Sequence, residues 1–471
     1  MQSEFRNDFN NHHRLAKILA ATMLTSLACQ TSLAGGVPKE TFPRLGGYQI
    51  GATPFNGYGD PAYHREMAKL DYVIIGSTQP VANDAAAGIR RLNPDTILIK
   101  YTSLQSVSST HLGVSEIARD KVSSETGPNQ TNAHDWWARD DNGNHVSNWP
   151  NNWTVNITNY VRPDANGDRY PEWLAKLNHD RWIKYDAWDG VFGDATYWQP
   201  RGEARNADWS GGNETDRSKI SSEFRLGHVG YWNEAQRLAP GKFVTVNHDW
   251  YRSEDPSYLG RWDLPEYDQK IHGGLLELVL RSSDLEGTPR TAWNTVLTYY
   301  RRSMTYFVDP NITLFMVGGE ADNWRFFRYA FATCLMNDGY FDYGPDGDHT
   351  YGTVTWFDEF DLAGTAGTDW LGLAIDPPPE SAWQSGVWRR GFEGGVALVN
   401  PRGNGAKTVT VEAGLRRVAG QQDSQVNNGQ PASSITLQDG DGIILVREGF
   451  ADVPGEVTPK PPVLFGDRVT P

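Results

Sequence analysis

The sequence predicts an α/β protein, a (β/α)8 TIM barrel followed by a small C-terminal antiparallel β-sandwich domain. The first observation is that short apolar runs alternate with helical patterns across residues 46–378. Nearly continuous apolar runs are typical of strands covered on both faces, and their repetition with helices indicates a parallel sheet. The second observation is a change of pattern after residue 379, where short alternating runs between turn residues indicate antiparallel strands.

Eight apolar runs are the predicted barrel strands. They cover residues 46–51, 71–76, 96–101, 188–194, 242–247, 273–278, 312–317 and 339–343. Helical patterns lie between several of them, at residues 61–70, 81–92, 218–238, 288–305 and 324–336. Eight such units can close on themselves, and loop insertions make this barrel longer than the usual ~250 residues.

Two polar excursions interrupt this repetition, one between the third and fourth runs and one at residues 200–216. Connections of such length are functional excursions or small subdomains. Both follow strands at their carboxyl ends, the side that carries barrel active sites. We therefore expect Trp136, Trp137 and Trp198 to offer flat rings to a sugar. The alternative is that these rings hold the long loops together.

The N-terminus has the pattern of an export signal. The apolar run Ile18–Ala28 follows a weakly basic lead and precedes small residues at Ser32–Ala34. The run is too short to span a bilayer, so residues 1–34 are predicted to be a signal peptide. We expect a secreted or periplasmic protein. A lipid anchor at Cys29 is the less favoured alternative, because Ser26 stands where a larger apolar residue is expected.

The predicted mature domains are the barrel at residues 46–378 and the β domain at residues 385–450. The tail at residues 454–471 is rich in Pro and Gly and is predicted to be disordered. A formal net charge of −15 argues against a nucleic-acid partner, since phosphates would be repelled. No stretch approaches the ~20 apolar residues of a membrane span. The sequence makes no prediction of oligomeric state.

Charged side chains stand at the carboxyl ends of five predicted strands: Lys100, Asp194, Asp249, Glu277 and Glu320. Glycoside hydrolysis needs two carboxyl groups, one to protonate the leaving oxygen and one to attack or to activate water. Two pairs meet this need, one combining Asp194 with Glu277 and the other Asp194 with Glu320. Motifs of serine hydrolases, zinc peptidases and phosphate-binding loops are absent.

No metal or cofactor is predicted. The spaced acids around Gly167 share part of the pattern of a calcium loop, but the terminal Glu in register is absent. Polar turns are the better interpretation of this segment.

Four segments together resemble a known family. They are residues 189–194 (DGVFGD), 274–277 (GLLE), 320–341 and 356–360 (WFDEF). The chain resembles, over residues 46–450, the hypothetical glycosyl-hydrolase-like TIM barrels related to the α-galactosidase clan. In that clan the nucleophile follows the fourth strand and the acid/base the sixth. The resemblance implies that Asp194 is the nucleophile, that Glu277 is the acid/base and that the reaction is retaining.

Further polar residues are predicted to bind substrate: Lys100, Asn247, Asp249 and Glu320. Lys100 is expected either to bind a sugar hydroxyl or to hold Asp194 ionised, and Asn247 to bind a hydroxyl. Glu277 has a structural alternative as a buried acid. Glu320 has two alternatives, because it is a second candidate for the acid and it could also cap the helix that follows it.

The function that these observations predict is that of an exported glycosidase acting on an oligosaccharide or polysaccharide. The alternative is a non-catalytic carbohydrate-binding or cell-surface interaction protein on a barrel scaffold. The presence of both carboxylates favours the enzyme.

Overall fold

The computed structural model describes residues 35–76, 81–111, 114–125, 136–248, 264–286, 289, 292–344 and 354–450. The predicted signal peptide, the predicted disordered tail and Asp249 lie outside these ranges. Within them, no helix is both long enough and apolar enough to cross a membrane.

The strands include all eight that the sequence predicts for the barrel. In chain order they are β1 Gly46–Gln49, β2 Tyr72–Ile75, β3 Ile97–Ser103, β4 Ser106–Ser108, β5 Asn152–Thr154, β6 Gly190–Thr196, β7 Phe243–His248, β8 Gly273–Arg281, β9 Leu314–Gly318, β10 Tyr340–Gly344, β11 Trp388–Gly391, β12 Gly395–Asn400, β13 Lys407–Arg417, β14 Pro431–Leu437 and β15 Asp441–Arg447.

The barrel sheet has the order β1-β2-β3-β6-β7-β8-β9-β10, and every neighbouring pair in it is parallel. A parallel bridge between Leu45 and Phe341 brings the last strand beside the first. The predicted (β/α)8 barrel is therefore confirmed.

The helices lie mostly between the strands, as parallel pairing requires. They are α1 Pro61–Met67, α2 Val81–Leu92, α3 Val114–Ser124, α4 Tyr170–Asn178, α5 Arg217–Leu238, α6 Trp293–Tyr306, α7 Trp324–Cys334 and α8 Asp358–Asp361. Within the described residues, side-chain caps begin three of them: Asp60 accepts a hydrogen bond from the Ala62 N–H, Asp216 from the Ser218 N–H, and Asn323 from the Phe326 N–H. Helices α3 and α4 and the antiparallel pair of β4 and β5 lie inside the first excursion, where the sequence shows no clean periodicity.

The barrel core has two layers because successive strand residues face opposite sides. Tyr48, Ile99, Phe192, Leu275 and Met316 belong to the interior cluster. The alternate residues of the same strands pack outward against the helices in a larger cluster. This alternation continues to the strand ends, so it also decides which polar side chains reach the mouth of the barrel.

The C-terminal domain is a five-stranded antiparallel sheet of order β11-β12-β15-β13-β14, consistent with the predicted β-sandwich. One face of β12 and β15 joins the barrel core, and these strands pack on α7. Their other face builds a second cluster with β13 and β14. A buried ion pair of 2.7 Å between Arg328 of α7 and Asp423 also links the sheet to the barrel.

Candidate active site

Asp194 lies on the fourth barrel strand, at the carboxyl end of β6. Its Oδ2 accepts a 2.6 Å hydrogen bond from the hydroxyl of Tyr101 on β3. Its Oδ1 accepts bonds of 2.8 Å from the Ala195 N–H and 2.9 Å from the Asn247 amide. The barrel alternation places Phe192 in the interior cluster, and Asp194, two residues on, faces the same side.

Asn247 of β7 joins the two predicted catalytic carboxylates. Its Nδ2 donates to Asp194 Oδ1 and to Glu277 Oε2, each at 2.9 Å. An amide nitrogen carries two hydrogens, so one side chain can serve both acceptors at once. Three adjacent strands, β6, β7 and β8, therefore bring Asp194, Asn247 and Glu277 into one contiguous cluster.

The backbone is irregular immediately after both carboxylates. Ala195 follows Asp194 with a φ of 58°, and Leu278 follows Glu277 with a φ of 48°. The strand register shifts beside each of them. Left-handed non-glycine residues cost of order 1–3 kcal/mol and cluster at functional sites. The β6 irregularity is held by Gln105, whose amide donates to the Ala195 carbonyl at 2.5 Å.

Burial and hydrogen bonding act in opposite directions on Asp194. Burial raises the pKa of its carboxyl above the ordinary 3.8, while Tyr101, Asn247 and the Ala195 N–H lower it by favouring the ionised form. Burial and the nearby Asp194 raise the pKa of Tyr101 well above its ordinary value. Tyr101 therefore stays a hydrogen-bond donor throughout the physiological range.

The expectation that Lys100 holds Asp194 ionised is wrong. Adjacent strand residues face opposite sides, so Lys100 points outward while Tyr101 points inward. The Lys100 ammonium contacts the Tyr101 carbonyl at 2.6 Å and lies 4.4 Å from the centre of the Trp182 ring. The donor that the sequence failed to identify is Tyr101, a tyrosine in an apolar run with no outward sign of its role.

The expectation that Trp136 and Trp137 stack on a sugar is also wrong. Their exposed fractions are only 1% and 2%, so protein covers both ring faces. Trp136 donates from its indole nitrogen to the Arg162 carbonyl, and Trp137 packs against His145 and Trp153. These two rings hold the excursion together, which is the alternative that the sequence left open.

A different set of aromatic residues lies near the end of β6. Trp198 is half-buried, and its neighbour Tyr197 stacks on Trp149 with ring centres 6.2 Å apart. Trp149 is 41% exposed, so it offers a free ring surface that the buried tryptophans lack. Trp198 remains a predicted substrate-binding residue.

Glu320 is an exposed carboxylate beyond the end of β9. It does not cap the following helix, because Asn323 performs that role for α7. Hydrogen bonds from its own backbone, Ser282 and Asn323 lower the pKa of Glu320. The described contacts of Glu320 do not include Asp194, Asn247 or Glu277, and substrate contact through Glu320 remains a prediction.

Asp342 is a buried carboxyl that the sequence analysis did not single out. It lies on β10 two residues after Tyr340, a member of the interior cluster, and its Oδ2 accepts a 2.8 Å hydrogen bond from the Tyr48 N–H. Burial raises the pKa of Asp342 to about 7. The sequence signal that could have identified Asp342 is a single acid flanked by aromatic residues within a predicted strand.

The described ranges contain no group of three or more His, Cys, Asp or Glu side chains arranged to hold a metal ion. The Asp164 turn instead closes on itself, since Asp164 Oδ1 accepts from the N–H groups of Asn166 and Asp168. Lys121 pairs with the other oxygen of Asp164 at 2.7 Å.

The family model of hypothetical glycosyl hydrolase family 15 matches residues 90–396, well over half of the chain. The chain belongs to this family. The predicted family resemblance and the prediction of a glycosidase are therefore confirmed. The matched segment contains Tyr101, Asp194, Asn247 and Glu277. No curated protein shows a significant match to the chain.

Several solved glycoside hydrolases share distant structural similarity. The glycoside hydrolase domain of PelA from Pseudomonas aeruginosa is 11% identical, covering 67% of this chain and 99% of its own, with a TM-score of 0.40. A maltogenic alpha-amylase, AmyB from Thermotoga neapolitana, is 10% identical over 88% of this chain and 100% of its own, with a TM-score of 0.44. The GH36 alpha-galactosidase AgaA from Geobacillus stearothermophilus is 10% identical over 86% of this chain and 56% of its own, with a TM-score of 0.42. Similarities at this level carry no argument about the reaction.

Proposed function

We propose that the chain is an exported, retaining glycosidase in which Asp194 is the nucleophile and Glu277 the acid/base. The observation that carries the proposal is the amide of Asn247, which donates to both carboxylates at 2.9 Å. Export is supported by the signal-like pattern of residues 1–34.

The shared amide limits the separation of the two acids. Two bonds of 2.9 Å from one nitrogen place Asp194 Oδ1 and Glu277 Oε2 no more than 5.8 Å apart, twice that length. Retaining enzymes separate their carboxyl groups by about 5–5.5 Å, whereas inverting enzymes need roughly 6.5–9.5 Å to admit a water. The limit lies below the separation of inverting enzymes and close to that of retaining enzymes, so it supports retention.

The hydrogen bonds of Asp194 also indicate which oxygen attacks. Oδ1 accepts from two donors, the Asn247 amide and the Ala195 N–H, which occupy both of its lone pairs. Among the described residues, Oδ2 accepts from Tyr101 alone and retains a lone pair. We assign attack on the anomeric carbon to Oδ2, with Tyr101 and Asn247 holding the carboxylate in one orientation.

Glu277 performs the complementary proton transfers. It donates a proton to the leaving oxygen as the bond to Asp194 forms, and it then takes a proton from the water that releases the sugar. Glu277 follows the interior residue Leu275 by two positions, so strand alternation directs its side chain to the interior of the barrel from the middle of β8. An oligosaccharide or polysaccharide would cross the mouth of the barrel beside Trp198, Tyr197 and Trp149.

The experiment that tests the reaction is turnover by the purified full chain on a panel of plant and microbial glycans. Released sugar, followed early by proton NMR, should carry the anomeric configuration of the bond that was cleaved. An inverted first product would overturn the nucleophile role of Asp194, and the absence of any released sugar would overturn the glycosidase proposal itself.

Substrates with good and poor leaving groups distinguish the roles of the two acids. Acid catalysis supplies about 10²–10⁴-fold, so Glu277→Gln should lose that much on unactivated substrates and far less on activated aryl glycosides. Asp194→Asn should be nearly inactive on both. Glu320→Gln is the matched control. Should Glu320→Gln abolish activity on an unactivated substrate while Glu277→Gln keeps it, the acid is Glu320.

A further inference from the structure

A polar cavity of about 310 Å³ adjoins the candidate active site at the carboxyl end of β3. Its lining includes Lys100, Asn178, Trp182, Ser108 and His111. Small-molecule sites usually measure ~300–1,000 Å³, so this cavity lies at the lower end of that range. It is lined by the strand ends of the barrel and by the first excursion.

Lys100 is a buried amine in this cavity and has no carboxylate partner among the described residues. Only 1% of the residue is exposed. Its three N–H donors meet one carbonyl oxygen and the face of Trp182. Burial alone lowers the pKa of Lys100 to about 7. Buried cations are normally paired, because taking an ammonium out of water costs several kcal/mol.

A second buried polar group in the lining lacks a partner. The amide nitrogen of Asn178 donates to the Thr102 and Tyr231 hydroxyls, at 3.1 Å and 2.9 Å. Its Oδ1 is buried and accepts no hydrogen bond. Unsatisfied buried acceptors are rare in native proteins, so each needs an explanation. The lining of the cavity thus combines an amine without a carboxylate partner and an acceptor without a donor.

The cavity is connected to the reaction through β3. Tyr101 and Ser103 contribute to its lining, and Ser103 is the register partner of Asp194 across β3 and β6. Tyr101 donates directly to Asp194. The cavity therefore lies at the same carboxyl end of the barrel as Asp194.

We propose that the cavity is a subsite for an acidic sugar unit, whose anionic group pairs with Lys100 and whose hydroxyl donates to Asn178 Oδ1. The inference rests on the proposed glycosidase function and specifies its substrate class as an acidic glycan. A sugar carboxylate and a sugar sulfate would both satisfy the ammonium.

Calorimetric titration of the full wild-type chain tests the subsite without requiring turnover. The probes are galacturonate and glucuronate, their neutral counterparts galactose and glucose, galactose 6-sulfate and inorganic sulfate. We expect at least one acidic sugar to bind tenfold or more tightly than its neutral counterpart and than inorganic sulfate. Preference for the uronates identifies a carboxylate ligand, and preference for the sulfated sugar identifies a sulfate ester.

Two results would overturn the subsite in the wild-type chain. One is equal binding of acidic and neutral sugars, and the other is inorganic sulfate binding as tightly as the acidic sugars. Sugar binding and glycan hydrolysis, measured separately, also distinguish a failure of the subsite from a failure of the glycosidase proposal. Hydrolysis of glycans with no acidic preference removes the subsite alone, whereas an acidic preference with no hydrolysis of any glycan removes the glycosidase proposal alone.

Lys100→Met should abolish the acidic preference because it removes the charge and keeps a long side chain. Lys219→Met makes the same change at a side chain that is 65% exposed, and it should keep the preference. Lys100→Met should melt no lower than wild type, since it removes an unpaired buried charge. An acidic preference that persists in Lys100→Met would refute the assignment, and the wild-type titration remains the test if that variant does not fold.

Discussion

The phenol of Tyr101 decides how readily Asp194 gives up its proton. Its 2.6 Å hydrogen bond favours the ionised carboxylate and lowers a pKa that burial raises. A hydrogen bond to a charged group is worth ~1.5–3 kcal/mol, and each pKa unit corresponds to about 1.4 kcal/mol. Tyr101→Phe should therefore move the acidic limb of the kcat/KM profile to higher pH by about one unit or more. Tyr72→Phe is the control, because Tyr72 lies in the same interior cluster and its hydroxyl bonds to Thr245. An unshifted limb in Tyr101→Phe would show that another group titrates there.

Asp342 should make the protein less stable as the pH rises. Its folded pKa is raised from 3.8 to about 7, so the folded state holds a proton that the unfolded chain releases. That contribution is fully present below about pH 4 and is lost as the pH rises through 7. Asp342→Asn keeps an acceptor for the Tyr48 N–H and cannot ionise. Its melting temperature should exceed that of wild type at about pH 8 and approach it at about pH 4. An advantage independent of pH would contradict the buried, protonated Asp342.

The sequence predicts carboxylates better than their partners. Asp194 and Asn247 could be selected because each is a polar side chain near the end of an apolar strand run, and Glu277 because it is the single acid within its run. Tyr101 was not, since a catalytic tyrosine and a packed one look alike within such a run. Lys100 was selected as the partner of Asp194 because of its charge. That selection did not consider that neighbouring residues of a strand face opposite sides of the sheet. The choice of Trp136 and Trp137 followed composition, which does not distinguish a buried ring from an exposed one.

At the level of elements, the irregularity in β6 depends on a side chain of the first excursion. Gln105 is 1% exposed and donates its amide to the Ala195 carbonyl. Gln105→Met keeps the length and leaves that carbonyl without its donor, which costs ~1–3 kcal/mol when buried. We expect lower thermal stability and a fall in kcat larger than any change in KM, since Asp194 directly precedes the bulge. Gln49→Met is the control, because Gln49 is also buried and its Oε1 has no partner. Equal kcat in the two variants would show that Gln105 does not position Asp194.

Helices and strands could be predicted where the apolar residues recur with a clear period, whereas bulges and irregular strands could not. The eight barrel strands and helices such as Val81–Leu92 follow from apolar runs and helical spacing. The bulges after Asp194 and Glu277 leave no mark in the sequence, because Ala195 and Leu278 have no preference for a positive φ. Strand Trp388–Gly391 shows no clear alternation in the sequence, because two arginines stand at its centre. Tertiary contacts impose these features.

On the scale of the whole molecule, the C-terminal sheet supports the barrel through α7 and contributes no group to the described contacts of Asp194. Gly442 on β15 packs directly on that helix: an added Cβ would collide with the Arg328 carbonyl and lie 2.9 Å from Ala332 Cβ. Gly442→Ala should therefore destabilise the protein by ~1–3 kcal/mol, as overpacking does. Its kcat/KM, measured well below the melting temperature, should equal that of wild type. Gly344→Ala is the stability control, because a Cβ there meets nothing closer than 3.9 Å. A Gly442→Ala enzyme that keeps its stability but loses activity would mean that the sheet acts on the site rather than on the fold.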